Sequence, residues 1–445
     1  MASKHYSLLE ICSVIVDNRG KTCPVGDIGR PLIATNCVKN TALYPSYQTE
    51  RFVSDETYAS WFRAHPEPGD LIFVTKGSPG QVCMAPDPVD FCIAQDMVAL
   101  RANESLVYPP FLFASLRSDE TQDQIGNMHV GSLIPHFKKG DFDKLFLSIP
   151  EEPEQILIGD FYLQVSERIH RLNRTNDLLE SIARAIFKSW FVDFDPVKAK
   201  AEGREPEGMD ATTAALFPDS FEVSETGRLP KGWQFTTLGA EAQCHGGRIQ
   251  TGPFGSQLHA SDYVAEGVPV VMPQDLSNRR VSTTRVARIK ESNAVRLSRH
   301  RLEVGDIIYS RRGDVERHAQ IGTREAGWLC GTGCLLVRMG PLWPSPAFIS
   351  LALDRPETRA WISQHAIGAT LPNLNTGILS AVPLIISTES LLRAFTRIAE
   401  PIEQLISANN EQSHTLAIIR DTLLPRLISG KLRVPEAEKL VEAVL

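Results

Sequence analysis

Cysteine is sparse in this chain, with eight in 445 residues and no Cys-x-x-Cys pair. The closest two, Cys330 and Cys334, have neither a second pair nor histidines at zinc-ligand spacing, so reduced thiols are expected there and not a metal. Long apolar runs are missing too. The longest stretch free of Asp, Glu, Lys and Arg, Ala360 to Thr388, is broken by two prolines, two glycines, His365, Asn373 and Asn375, which rules out a membrane helix. Met1 to Asn18 lacks the basic, apolar and small-residue regions of a signal peptide, so a soluble, cytoplasmic protein is expected. A cationic surplus is also lacking: 46 Lys+Arg against 53 Asp+Glu give −7, which at face value argues against a nucleic-acid backbone as partner. Disorder is excluded by the 42% hydrophobic content, and the length exceeds one core and implies several domains.

Catalytic motifs are absent as well. The sequence has no GxxxxGK[ST], HExxH, GxSxG or GxGxxG, and Asp195-Pro196-Val197 is not the Asn/Asp-Pro-Pro-aromatic element of an amino-methyltransferase. His136, His245, His259, His300, His318 and His365 are scattered without ligand spacing. Asp306, after a glycine and before an apolar run, reads as a turn residue.

What the chain does have is a second copy of itself. Gly69-Asp70-Leu71-Ile72-Phe73 returns as Gly305-Asp306-Ile307-Ile308-Tyr309, and Thr75-Lys76-Gly77 as Arg311-Arg312-Gly313, at a shift of 236. Pro31-Leu32-Ile33 matches Pro269-Val270-Val271, and Gly131 to Phe137 matches Gly368 to Leu374, with the departure that His136-Phe137 stands where the second copy has Asn373-Leu374. Each copy begins with about 150 residues of short β-type runs punctuated by Gly, Pro and Asn. Each ends in a helix of apolar residues at alternating steps of four and three, a coiled-coil seam. The seam passes through Val165, Ile169, Leu172, Asn176, Leu179 and Ile186 in copy one, and through Ile402, Leu405, Asn409, Leu416, Ile419 and Leu423 in copy two. Pro401 lies inside the second pattern, where the helix either kinks or starts. The reading is α+β: a sheet-containing domain over 1–152, a helix over 153–196, a linker over 197–230 anchored by an apolar patch at Leu216-Phe217 and Phe221, a second domain over 231–388, a second helix over 389–430 and a tail over 431–445. The two helices are taken as long, antiparallel and coiled.

Local charge contradicts the total. Residues 279–317 hold eleven Arg+Lys, ten of them arginine, against five acids, or +6 inside a −7 chain. Arginine suits phosphate forks and bidentate guanine contacts. The DNA-contact candidates are Arg248, Arg279, Arg280, Arg311, Arg312 and Arg317 in the second copy, with Ser256 and Gln257 in the loop Thr251-Gly252-Pro253-Phe254-Gly255-Ser256. In the first copy they are Arg19, Lys21 and Lys76. The competing reading is a non-catalytic protein-binding scaffold with duplicated domains and solvated arginines.

Duplication, long helices and motifs together resemble the DNA-specificity subunit of type I restriction-modification systems. The resemblance is carried by Leu229-Pro230-Lys231-Gly232-Trp233 after Phe217-Pro218-Asp219-Ser220-Phe221, by Thr251 to Leu258, by Asp17-Asn18-Arg19-Gly20-Lys21-Thr22, by Gly305 to Gly313 and by Leu371-Pro372-Asn373-Leu374. It implies two target-recognition domains, each reading half of a split, asymmetric sequence in double-stranded DNA, with the paired helices as spacer. It also implies two methyltransferase subunits and a restriction motor-nuclease as partners. Those partners would carry S-adenosylmethionine, ATP and Mg²⁺, so that no cofactor belongs to this chain and the chain is not itself an enzyme.

Overall fold

The computed structural model describes residues 3–18, 22–47, 51–93, 95–128, 135–224, 227–282, 286–368 and 372–428. They form two compact units: residues up to Thr175 with those from Asn409 onward, and Asn176–Ala408. The fold is α+β.

The repeat in the sequence is a repeat in the sheets. In the first unit Cys12–Val16, Met97–Ala102, Leu71–Val74 and Val82–Met84 form a four-stranded sheet in that order. In the second unit Arg248–Thr251, Cys334–Arg338, Ile307–Ser310 and His318–Gln320 form the same sheet in the same order, and every pairing in both is antiparallel. Leu71–Val74 and Ile307–Ser310 are buried along their whole length, as expected of central strands covered on both faces. A two-stranded pair accompanies each sheet, Lys4–Ser7 with Phe146–Ile149 and Gln234–Thr237 with Pro383–Ile386. Helices Pro109–Arg117 and Pro346–Asp354 follow at equivalent places, each opened by proline in its first turn, where the missing N–H costs nothing. The copies diverge between these anchors. The second has a further four-stranded sheet, Tyr263–Val264, Ala287–Ile289, Val268–Val271 and Leu329–Cys330, where the described residues of the first pair Arg30–Pro31 with Phe52–Val53 and add the single bridges Gly26–Phe52 and Leu32–Cys92.

The Gly-Asp motif has a structural purpose beyond a turn. Asp70 is buried and takes a two-bond fork from Arg101 (Nε–Oδ1 2.9 Å, Nη2–Oδ2 3.0 Å) while accepting from the Glu67 N–H at 2.8 Å. Asp306 repeats this with Arg338 (2.7 and 2.6 Å) and the Glu303 N–H (2.7 Å). Burial pushes the Asp306 carboxyl up, against the pull of Arg338. Each pair ties the start of a central strand to the end of its neighbour.

The long helices are Glu152–Phe191 and Glu389–Ile428, 40 residues each. In the first unit their segments pack antiparallel: Ser413 reaches Asn173 at 3.4 Å, and Arg420 reaches Ser166 at 3.2 Å. Ile158, Val165, Ile169 and Leu172 share a core there with Leu416, Leu423 and the domain's own Phe111 and Phe113. In the second unit Phe187, Phe191 and Phe395 cluster with Phe348 of the domain.

Several expectations need correction. The first helix stops at Phe191, and Pro196 instead sits in the first turn of a short helix, Asp195–Ala201, entered through a left-handed Phe194 (φ 57°). The second helix runs through Pro401 and so does not start there. Leu405 is not in the seam: it is 47% exposed, while Ile406 is 2% exposed. The buried stripe there passes through Ala399, Glu403 and Ile406, because the helix faces its domain as well as the other helix and Glu403 is drawn inward by two arginines. Val165, Ile169, Leu172, Asn176, Asn409, Leu416 and Leu423 are buried, and Leu179, Ile186, Ile402 and Ile419 half-buried. Residues 197–230 are anchored through Phe217, with Leu216 and Phe221 packed against the same core. They hold the helix Ala211–Ala215, capped by Asp210 through the Thr213 N–H at 2.9 Å, and a hairpin of Phe221–Ser224 with Gly227–Pro230, and Phe217 packs edge-on against Trp190. The tail from 431 onward lies outside the described residues.

Candidate nucleic-acid interface

One end of each four-stranded sheet gathers the loops that carry the candidate residues. In the second unit, strand Arg248–Thr251 leaves this end into Gly252–Gln257, and strand Ile307–Ser310 leaves it into Arg311–Gly313. Strand Cys334–Arg338 begins there after Gly331–Gly333, as the pairs Thr251–Leu335 and Ser310–Cys334 require. The Arg311 N–H donates to Gly333 O at 2.9 Å, and Gly252 N–H to Cys334 O at 2.9 Å. A Cβ on Gly252 would stand 1.8 Å from Gly331 O, so this glycine serves close backbone packing and not ligand approach; Gly255 faces open space. Phe254, 56% exposed, projects from the same loop, with Ser256 exposed and Gln257 half-buried, its Oε1 accepting from the Phe254 N–H.

The loop tips are held by their backbones. Gly313 N–H donates to Pro372 O (3.0 Å), and Leu374 N–H to Arg311 O (2.8 Å). In the first unit Gly77 N–H donates to Pro135 O (2.9 Å), and Phe137 N–H to Thr75 O (2.8 Å). The departure at His136-Phe137 therefore leaves the turn's docking intact, with Phe137 as fully buried as Leu374. Gly131 to Ile134 and Ala369 to Leu371 of that repeat lie outside the described residues.

Arg312 is exposed and, among the described residues, has no acidic partner. Arg311 lies beside it, half-buried, with an Nε that has no hydrogen-bond partner among the described residues. Arg317, in the hairpin turn at the same end, is exposed and paired with Asp314 at 2.6 Å. In the first unit Lys76 occupies the place of Arg312, half-exposed and 3.7 Å from Asp96. Arg19 and Lys21 lie outside the described residues. Near Lys76 an open cavity of about 200 Å³ is lined by Thr22, Thr35, Arg51, Gln95 and Asp96 among others.

Three candidates lie elsewhere. Arg248 is exposed but at the far end of its strand, paired across to Arg338. Arg279 and Arg280 are corrections: both are turned inward onto Glu180 and Glu403 of the long helices, so neither guanidinium is offered to DNA. Net charge along 279–317 could not reveal this, because the neutralising carboxylates lie 99 residues before and 124 after Arg279 in sequence. Arg299, exposed beside strand Arg248–Thr251 with its carbonyl accepting from Gln250 at 2.7 Å, is a cation that the sequence reading did not single out. Two histidines are structural. His318 is buried and stacked on Tyr309 with a nitrogen 3.1 Å from Ser350 O, and burial with the nearby Arg279 charge takes it down to about 4. Burial and Arg299 likewise hold His300 at about 4.

Residues 20–181 match the family model described as the type I restriction modification DNA specificity domain. Along most of its length the chain is similar to two specificity subunits. It is 24% identical over 413 residues to that of the type I restriction enzyme HindI of Haemophilus influenzae, covering 82% of this chain and 86% of the relative. It is 22% identical over 371 residues to that of MjaIX of Methanocaldococcus jannaschii, covering 83% and 78%. Residues 20–181 thus match the type I DNA specificity domain, and the chain as a whole is similar to type I specificity subunits. Its fold agrees with the crystal structure of the S subunit from M. genitalium, with a TM-score of 0.51 at 15% identity over 96% of each chain. At the sheet end of the second unit the chain brings together Arg311, Arg312, the exposed ring of Phe254 and the exposed Ser256, and at that of the first it has Lys76. Among the described residues no helix is long and apolar enough to cross a membrane.

Proposed function

We propose that the chain reads a split, asymmetric DNA target, one half with each sheet-containing domain, and recruits the subunits that modify and cut it. The observation that carries this reading is the equivalence of the two sheet ends. The same strands in the same order present loops fixed by the same backbone bonds, yet the tips differ, with Lys76 beside Asp96 in one and Arg311-Arg312 in the other. Two like readers with unlike side chains suit two unlike half-sites. Phosphate contacts from cations position each domain, and a minority of side chains reach base edges.

The paired helices act as the spacer. Forty residues at about 1.5 Å each span about 60 Å, of the order of one to two turns of duplex. Exposed apolar residues on the first helix, Leu178 and Ile182 one turn apart, suit it to docking a partner, here two methyltransferase subunits. Those subunits and a motor-nuclease would bring S-adenosylmethionine, ATP and Mg²⁺. The purified chain is expected to be inert with any of the three, and to work in the cytoplasm, where its DNA is.

Methylation-sensitive sequencing of the host genome tests the reading. A two-part asymmetric motif with a fixed gap is the expected result. A single contiguous motif, or two identical halves, would overturn it.

A further inference from the structure

The second unit contains a buried four-way ion pair that DNA contact does not explain. The hairpin formed by Leu276–Ser277 and Arg280–Val281 turns through Asn278 and Arg279, both left-handed at φ 47° and 61°. This backbone region is unfavourable for residues with a Cβ and persists where surrounding contacts enforce it. Here they do. Arg279, 2% exposed, donates from Nε to Ser350 Oγ at 2.9 Å, from Nη1 to Glu180 at 2.8 Å and from Nη2 to Glu403 at 2.9 Å. Arg280 takes the remaining oxygen of each carboxylate, Glu180 at 3.1 Å and Glu403 through the same nitrogen. All four carboxylate oxygens are thus engaged by two guanidinium groups.

This cluster joins three elements. Glu180 belongs to the first long helix, Glu403 to the second and the arginines to the recognition domain. From Arg279 the path to the reading loops is short: its carbonyl accepts from the Gln320 N–H at 3.0 Å, and strand His318–Gln320 follows directly on the turn of Asp314 and Arg317. The first unit is built otherwise. At the repeat-equivalent positions it has Leu43 and Tyr44 in the domain, with Tyr44 edge-on to His170 at 5.0 Å, and Ser166 and Ala417 on the helices. There the ring contact and a single bond from Arg420 to the Ser166 hydroxyl leave the seat more freedom, whereas here two guanidinium groups each bridge both carboxylates and fit one geometry.

We propose that Arg279 and Arg280, with Glu180 and Glu403, are positioning residues that fix the seat of the second recognition domain on the helix pair and thereby set how strictly the gap between half-sites is read. The proposal rests on the split-target reading above. Removing one partner strands buried charge, whereas removing all of them together spares the fold. Positioning and stability are therefore separable.

The test uses the full chain assembled with its methyltransferase subunits, and DNA duplexes whose gap is native, one base pair shorter or one longer. The wild-type assembly should prefer the native gap. Equal binding to all three would sink the split-target reading itself. Replacing all four residues by methionine (R279M, R280M, E180M, E403M) should leave the melting temperature within about 5 °C. It should also lower gap discrimination by about ten-fold, the scale of one lost base-pair contact. Because that variant could fail to fold, R279K with R280K provides a second reading: charge is kept, the planar bridging of both carboxylates is lost, and discrimination should again fall while affinity for the native gap changes little. If either folded variant keeps wild-type gap discrimination, the cluster only stabilises the fold and the proposal is overturned.

Discussion

Lys76 and Arg312 occupy the same place in two copies of one loop, and their surroundings set them apart. The lysine lies 3.7 Å from Asp96, whereas the arginine has no acidic partner among the described residues and stands next to Arg311. Beneath them the copies agree closely, down to the buried aspartate, its two-bond arginine fork and the glutamate N–H that completes it. A duplicated domain thus holds its framework by buried charge and varies its surface by exposed charge. The two kinds of charge should answer differently to mutation.

The largest effect is expected in the shared framework. Arg101→Ala and Arg338→Ala each strand a buried carboxylate and should cost about 3–5 kcal/mol, with similar losses in both units by urea denaturation. A loss under about 1 kcal/mol in either would break the equivalence of the two copies.

Next comes an asymmetry in acid. His318 stands where the first copy has Val82. Its folded value of about 4 lies below the ordinary 6.5, so the unfolded chain binds the proton more readily. Its contribution is therefore complete above pH 6.5 and is lost as pH falls toward 4, by on the order of 3 kcal/mol. The second unit should be the more acid-labile, and His318→Val should flatten its stability profile over that range, leaving a slope from His300, which is held at about 4 for the same reason. An unchanged profile in the variant would show that His318 does not carry the asymmetry.

The smallest and most informative effects lie at the loop tips. Arg312→Ala should weaken DNA binding by about 1–3 kcal/mol and relax one base position if it reads a base; if it holds a phosphate, binding weakens uniformly and the salt slope falls by about one. Lys76→Ala, already half-neutralised by Asp96, should cost less, under about 1 kcal/mol. Equal losses from the two variants would remove the distinction on which the comparison rests.

The sequence made the architecture legible wherever periodicity or repetition carried it. Anchors spaced by about 236 residues mark equivalent strands, and the four-and-three steps mark two helices that prove to be equally long. What stayed hidden was pairing at a distance. Asp306 looks like a turn residue because Arg338 lies about 30 positions away, on a neighbouring strand, as Arg101 does from Asp70. Arg279 and Arg280 look like surface cations because Glu180 and Glu403 arrive from two helices. Leu405 looks like a seam residue because heptad counting ignores the domain against which the helix also lies. Of the candidate interface, the Arg311-Arg312 loop was readable from its repetition; the company it keeps with Phe254 and Gln257 required the sheet to fold.

One detail of the loop tips bears on how such a protein changes over time. The loops are fastened through main-chain N–H and C=O groups of Gly313, Arg311, Gly77 and Thr75, with the two glycines at left-handed φ of 77° and 86°, so the fastening asks nothing of the side chains at 76 and 312. Positions 76 and 312 can therefore exchange side chains with little consequence for folding. New reading preferences lie within single mutational steps of the old ones, and selection can explore them on a scaffold that stays folded throughout.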